Sequence, residues 1–272
     1  MRHIRLLVVV ACAVAASAFS AQPRDLPPRD AFLREAREAL AKSQRVWHLY
    51  SYKERRTNLH LNPFGRMGTS GTRVTEVRPS ADPRRTYRRV IERDGVAVPK
   101  AELDRQDAEY RARVARLERE DASQTDRAEQ NEQLARRRAE MVVDDVVGTL
   151  QFDLLRRDTR NGRSVIVVGF VPRPDARPTM REGRVARVFK GEVWVEEASR
   201  EVIDFTGVAT GDVAFGGFVG KIYEGTQASV ERREIEPDVW MPTRLTLQGD
   251  VRALFRKARI DHVVEWFDYR KQ

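Results

Sequence analysis

Two dipeptides, Asp94-Gly95 and Asn161-Gly162, limit this chain most. Each lies between short β-like runs and has the chemistry of a two-residue hairpin turn, in which both central residues take a positive φ. Strands joined in this way are antiparallel neighbours. Around the first turn lie Val46 to Thr57, Thr72 to Arg78, Thr86 to Arg93 and Val96 to Val98. Around the second lie Leu150 to Arg157 and Arg163 to Val171, followed by Val185 to Val195, Glu201 to Gly207, Val213 to Tyr223, Ala228 to Ile235, Met241 to Leu247 and Arg252 to the end. No strand–helix–strand alternation occurs, which excludes a nucleotide crevice at the edge of a parallel sheet. The expected class is mainly β (α+β), an antiparallel sheet with helices confined to a few segments and one face covered.

Two helical segments interrupt the strands. The proline-rich lead-in Gln22 to Arg29 ends at Asp30, placed to cap a helix over Ala31 to Arg45. Phe32, Ala36, Ala39, Leu40 and Ser43 share one narrow face of it, which suits packing on a sheet. Lys100 to Met141 is almost free of Gly and Pro and dense in Arg, Glu, Asp, Gln and Ala. Its seam of Leu103, Tyr110, Val114 and Leu117 dissolves into Asp121, Gln124 and Asn131. The segment is expected to dock at its ends, as a helical hairpin broken near Ala122 to Thr125, and Asn62 to Gly65 reads as a loop.

The ends and the charge speak to compartment and partners. Met1 to Arg5 is a short basic segment, Leu6 to Ala16 an apolar run, and Ala16-Ser17-Ala18 or Ala18-Phe19-Ser20 a small-residue cleavage site. Together they form a secretory signal peptide over residues 1–20, with export to the periplasm expected. The apolar run is short for a membrane span and no second candidate follows, so no transmembrane segment is expected in the mature chain. Cys12 sits in a lipoprotein-like context, but cleavage there would leave too short an apolar region, which weighs against a lipid anchor. As the sole cysteine, it leaves the mature chain without disulfide or thiol chemistry. Fifty Lys and Arg stand against 41 Asp and Glu, a net charge of +9. Both signs are interleaved throughout and no aromatic-basic module appears, so nucleic acid is not an expected partner.

Chemistry is conspicuous by its absence. His48, His60 and His262 have no zinc-ligand spacing, so neither metal nor cofactor is expected. There is no phosphate loop, and Gly211 to Gly220 lacks both the lysine and the following helix. There is no nucleophile elbow. The carboxylate pairs Glu196 with Glu197, Asp144 with Asp145 and Glu234 with Glu236 are expected by chance in a chain that is 33% charged. A non-enzymatic protein is the expectation.

The most distinctive units are two tryptophan hairpins. Phe189 to Thr206, FKGEVWVEEASREVIDFT, gives a strand over Gly191 to Val195, a turn over Glu196 to Glu201 and a returning strand. Glu236 to Leu245, EPDVWMPTRL, carries the second tryptophan. With the N-terminal helix, Tyr50-Ser51-Tyr52, and the Pro79, Pro83, Thr86, Tyr87 strand turning at Asp94-Gly95, this order resembles the outer-membrane lipoprotein-sorting (LolA/LolB-like) superfamily over about residues 30 to 100 and 148 to 270. The resemblance implies a periplasmic open half-barrel whose concave face, closed by helices, holds lipid or lipoprotein acyl chains. On that basis residues 21–272 form one domain with a helical insertion at about 101–147. Tyr50, Tyr52, Tyr87, Trp194, Phe205, Phe215, Phe218 and Trp240 then become candidates to line a cavity. Taken as residues alone, the same rings suit an ordinary core between sheet and helix. The insertion departs from a simple carrier and leaves a second function open, an envelope signalling or scaffold module that binds a protein partner through it.

Overall fold

The computed structural model describes residues 24–61, 67–80, 82–122, 137–138, 140–215, 220–253 and 256–272. The signal peptide, Cys12, the loop from Asn62 to Gly65, the break at 123–125 and Phe218 lie outside the described residues. In chain order the elements are α1 (Arg29–Val46), β1 (Tyr50–Leu61), β2 (Met67–Arg78), β3 (Tyr87–Arg93), β4 (Val96–Ala97), α2 (Lys100–Ala122) and α3 (140–149). There follow β5 (Leu150–Arg160), β6 (Arg163–Pro172), α4 (Arg181–Ala186), β7 (Phe189–Glu196), β8 (Val202–Ala209), β9 (Val213–Phe215), β10 (Gly220–Ile222), β11 (Gln227–Glu236), β12 (Val239–Ala253) and β13 (Arg256–Lys271).

The strands form one antiparallel sheet in the order β4-β3-β2-β1-β13-β12-β11-β8-β7-β6-β5, with β10 pairing β12 and β9 pairing β10. The path does not close into a barrel, and it is the curved half-barrel of the mainly β class expected from the sequence. Asp94 and Gly95 take φ of 51° and 79°, Asn161 and Gly162 φ of 50° and 77°, so both hairpin turns form as their chemistry dictates. An open sheet leaves edges that must be protected. At β3 the protection comes from α2. The Gln106 side-chain amide accepts from the Val90 backbone N–H at 2.8 Å and donates to its carbonyl at 3.1 Å, standing in for a neighbouring strand. At β5, Arg29 Nε donates to the Phe152 carbonyl at 3.0 Å.

Several boundaries differ from the sequence-based expectation: Val213 to Tyr223 holds two strands, β9 and β10, Arg252 and Ala253 belong to β12, and three further differences have a local cause. Pro28, φ −55°, takes the N-cap of α1 in place of Asp30. Proline has the helical φ preset and no N–H to leave unsatisfied there. Asp30 falls in the first turn, where its charge meets the positive end of the helix dipole. Val46 ends α1, and a 3-10 turn over Trp47–Leu49 precedes β1, because Trp47 lies edge-on to Tyr52 and Trp266 at 5.5 and 6.5 Å. Val185 belongs to α4 rather than to a strand. The Asp145 carboxylate accepts from the backbone N–H groups of Thr179 and Met180 at 2.8 and 3.1 Å and ties down the chain entering that helix.

Phe32, Ala36 and Ser43, on the expected face of α1, are buried. Phe32 and Ala36 pack with Ile166, Val168 and Val195 of β6 and β7. A second cluster of Leu150, Phe170, Phe189, Ala209 and Ile222 continues that core. On the other face of the sheet Val165, Val167, Trp194, Ile203 and Trp240 form a separate cluster. Strand β6 is therefore covered on both sides, and Val165 to Val168 are each at most 1% exposed.

Candidate ligand pocket

The apolar space in this fold lies where α1 and α3 meet the sheet. Leu33, Ala36 and Leu40 of α1, Val146 and Val147 of α3, and residues of β5 to β8 enclose a pocket of about 210 Å³. Strand alternation supplies Val168 and Phe170 of β6 and Val193 and Val195 of β7 to its floor, and Phe152 comes from β5. The register shift opposite Trp194/Val195 brings both Val202 and Phe205 of β8 to the same face. Arg37 is the one charged lining residue. Its Nη2 meets Asp144 Oδ1 at 2.5 Å, and Arg45 Nη1 meets Glu140 Oε1 at 3.0 Å, so two ion pairs join α1 to α3 on the outside. Each of these side chains is roughly half exposed, which limits such pairs to about 0–1 kcal/mol. Leu40, Val146 and Val147 also line an outer groove of about 440 Å³ with Gln44, Arg138, Val142 and Val143. These three side chains are common to the pocket and the groove, so the two spaces adjoin at the seam between α1 and α3.

The glycines of the first tryptophan hairpin shape the floor. Gly191 pairs with Gly207 across β7 and β8. A Cβ on Gly191 would come to 2.0 Å from the Thr206 carbonyl oxygen, and one on Gly207 to 3.1 Å from Phe205 Cζ. Without side chains at that pair, Phe170 and Phe205 stack with ring centroids 5.3 Å apart and planes 17° from parallel. The Gly-x-x-Trp unit serves backbone approach and ring stacking.

A buried polar cluster holds α1 over the pocket. Arg232 of β11 donates to Glu201 Oε2 at 3.1 Å, to the Val202 carbonyl at 2.8 Å and to the Trp240 carbonyl at 2.9 Å. Glu201 Oε1 accepts from Ser43 Oγ of α1 at 2.7 Å. The side chains of the charged pair are buried, and burial pushes the Arg232 guanidinium below its ordinary range. Both Nη atoms of the guanidinium and both carboxylate oxygens have partners, as burial of charge demands.

Of the eight aromatic candidates, Phe205 lines the pocket. Trp194 follows Val193 and precedes Val195, so alternation carries it to the opposite face, where it packs with Trp240. There Arg160 and Arg163 lie over the two indole rings at 5.0 and 5.1 Å. Tyr50 and Tyr52 are on β1, the former donating to Glu236 Oε2 at 2.7 Å and the latter against Trp47 and Tyr269. Tyr87 is edge-on to Tyr110 of α2 at 4.9 Å. The backbone of Phe215 ends β9. The pocket residues outside that list are mostly aliphatic, among them Leu33, Leu40, Val146, Val168, Val193, Val195 and Val202, together with Phe152 and Phe170. The unbroken run from Val165 to Val168 was a usable signal, because a strand apolar on every residue is covered on both faces.

No catalytic arrangement arises from the carboxylate pairs. Glu196 meets Arg163 and Glu197 meets Arg157, each at 2.6 Å, while Asp144 and Asp145 hold Arg37 and the start of α4. Glu234 bonds Arg163 and Glu236 takes the Tyr50 hydroxyl. Among the described residues no group of three or more His, Cys, Asp or Glu is placed to hold a metal ion. No helix among them is long and apolar enough to cross a membrane.

Several solved structures are similar to this chain. A putative outer membrane lipoprotein-sorting protein domain from Vibrio parahaemolyticus aligns at TM-score 0.38 and 9% identity, covering 90% of this chain and 94% of that one. A DUF1329 family protein from Desulfovibrio piger aligns at 0.36 and 10%, covering 91% and 94%. A LolA superfamily protein from Nitrosomonas europaea aligns at 0.34 and 7%, covering 87% and 93%. No protein-family model matches the sequence, and no curated protein matches it. At these identities and scores the likeness carries no conclusion about what the pocket holds.

Proposed function

We propose that this chain is a non-enzymatic periplasmic binding protein, one half-barrel domain from about residue 21 onward, that carries the acyl chain of a lipid or lipoprotein between α1, α3 and the sheet. The observation that supports it is the pocket itself, with a wall that is aliphatic and aromatic apart from Arg37. At about 210 Å³ it is smaller than the roughly 300–1,000 Å³ of ordinary small-molecule sites, which suits one stretch of hydrocarbon better than a whole lipid. Each methylene taken from water contributes about 0.8 kcal/mol. The rest of the cargo would lie along the outer groove, reached through the seam at Leu40, Val146 and Val147.

Native mass spectrometry of the protein purified from its source cells, with organic extraction and then uptake of palmitate, tests this reading. Bound lipid or palmitate at one per chain is expected, and Val146→Phe, which fills the seam, is expected to abolish uptake while the protein stays folded. A wild-type protein that is free of lipid and takes up no palmitate would overturn it.

A further inference from the structure

A second cleft lies at the opposite end of the strand order from the acyl pocket, between α2 and the strands β2 and β3. It measures about 550 Å³, and its walls include Arg78, Arg85, Arg89, Arg111, Tyr87 and Tyr110. That volume falls within the roughly 300–1,000 Å³ of small-ligand sites. The lining side chains carry four guanidinium groups and one carboxylate, Asp107.

The ion pairs leave part of this charge unmatched. Arg89 bonds Glu76 at 2.7 Å and Asp107 at 3.1 Å, and Arg85 stands 3.7 Å from Asp82. Tyr87 donates its hydroxyl to Asp107 at 2.5 Å, and Tyr110 donates to the Arg85 carbonyl at 3.1 Å. Arg78 and Arg111 form no salt bridge among the described residues. Arg78 is held over the Tyr87 ring at 5.0 Å, and Arg111 acts on Asp107 through charge alone. A neighbouring cleft of about 590 Å³ is lined by Arg84, Arg88, Arg113 and Arg116, of which Arg84, Arg88 and Arg116 pair with Asp82, Glu54 and Glu120.

Two guanidinium groups without a salt bridge in one cleft suit a ligand of charge near −2. A phosphate monoester carries about −1.5 to −2 at neutral pH and offers three acceptor oxygens. Arginine's planar fork matches such oxygens two at a time. We propose that this cleft binds a phosphate monoester, free or as the headgroup of a phospholipid, with Arg78 and Arg111 as its charge partners. The site is separate from the acyl pocket and does not depend on it.

The whole protein is titrated with sn-glycerol 3-phosphate, and with the dicarboxylate glutarate for comparison, by calorimetry. It is also sedimented with vesicles of phosphatidylcholine alone or mixed with an equal amount of phosphatidic acid. Binding of glycerol phosphate in preference to glutarate is expected. Arg78→Gln with Arg111→Gln is expected to weaken it about tenfold or more at an unchanged melting temperature, and the paired Lys substitutions to restore part of it. Binding to the soluble ester marks a free ligand. Sedimentation with the phosphatidic acid vesicles only, lost in the Gln variant, marks a lipid headgroup. Equal binding of glutarate, an unaffected Gln variant, or no binding in either arm would overturn the proposal.

Discussion

Replacing Arg232 with methionine should be among the most damaging single changes in this protein. The arginine is 8% exposed and Glu201 is 5% exposed, so its loss strands a carboxylate that retains one bond, from Ser43 Oγ at 2.7 Å. Breaking one side of a buried pair costs about 3–5 kcal/mol. The carbonyls of Val202 and Trp240 lose donors in the same step. In a domain of this size each kcal/mol lowers the melting temperature by about 2–4 °C, so the expected fall is about 6–20 °C. Adding Glu201→Leu removes the stranded charge, and the double variant should recover much of the loss, because a buried pair replaced whole by apolar side chains is often close to neutral. Thermal and urea unfolding followed by circular dichroism measures both. Ser43 belongs to α1, so hydrogen exchange should also quicken at the C-terminal end of that helix in the single variant. A loss below about 1 kcal/mol, as for exposed pairs, or equal stability of single and double variants, would refute the reasoning.

Gly191→Ala should destabilise by about 2 kcal/mol or more, read as a lower urea midpoint, because its new carbon meets the backbone carbonyl of Thr206 and not a side chain that could move. A midpoint like wild type would mean the β7–β8 pairing is looser than described. At high pH the phenols should report the fold. The hydrogen bond to Glu236 and burial push Tyr50 up to about 12, while burial and the bond to Asp107 push Tyr87 up to about 12. The folded values lie above the ordinary 10, so this stabilisation is complete below about pH 10 and is lost as pH rises towards 12. Ultraviolet titration should show phenolate appearing later in the folded protein than in urea, with Tyr50→Phe removing part of the late step; coincident curves would contradict it.

Most of the architecture was legible in the residues, because hairpin turns and two-residue alternation are local. Asp94-Gly95 and Asn161-Gly162 take their positive φ from their own chemistry, and the narrow face of α1 found the sheet that its small side chains required. The pocket was harder to read, for a reason of parity. In β7 one step along the chain separates Val193, which lines the pocket, from Trp194, which packs on the other face. Motif order shows that Trp194 and Trp240 belong together, and they do meet, but only the pairing of Val193 with Phe205 and the register shift at Trp194/Val195 decide which face they share. That decision depends on residues far apart in sequence. The weight given to aromatic rings reached Phe205 of the pocket but not its other walls, since a hydrocarbon-sized space between two helices and a sheet is walled by the side chains that pack there, and these are mainly Val and Leu, with Phe152 and the stacked Phe170 and Phe205. The arginines of the α2 cleft escaped notice for a related reason: interleaved acidic residues make the charge look balanced along the chain, and the packing of α2 on the sheet then places Arg78 and Arg111 on one cleft whose lining side chains include a single carboxylate.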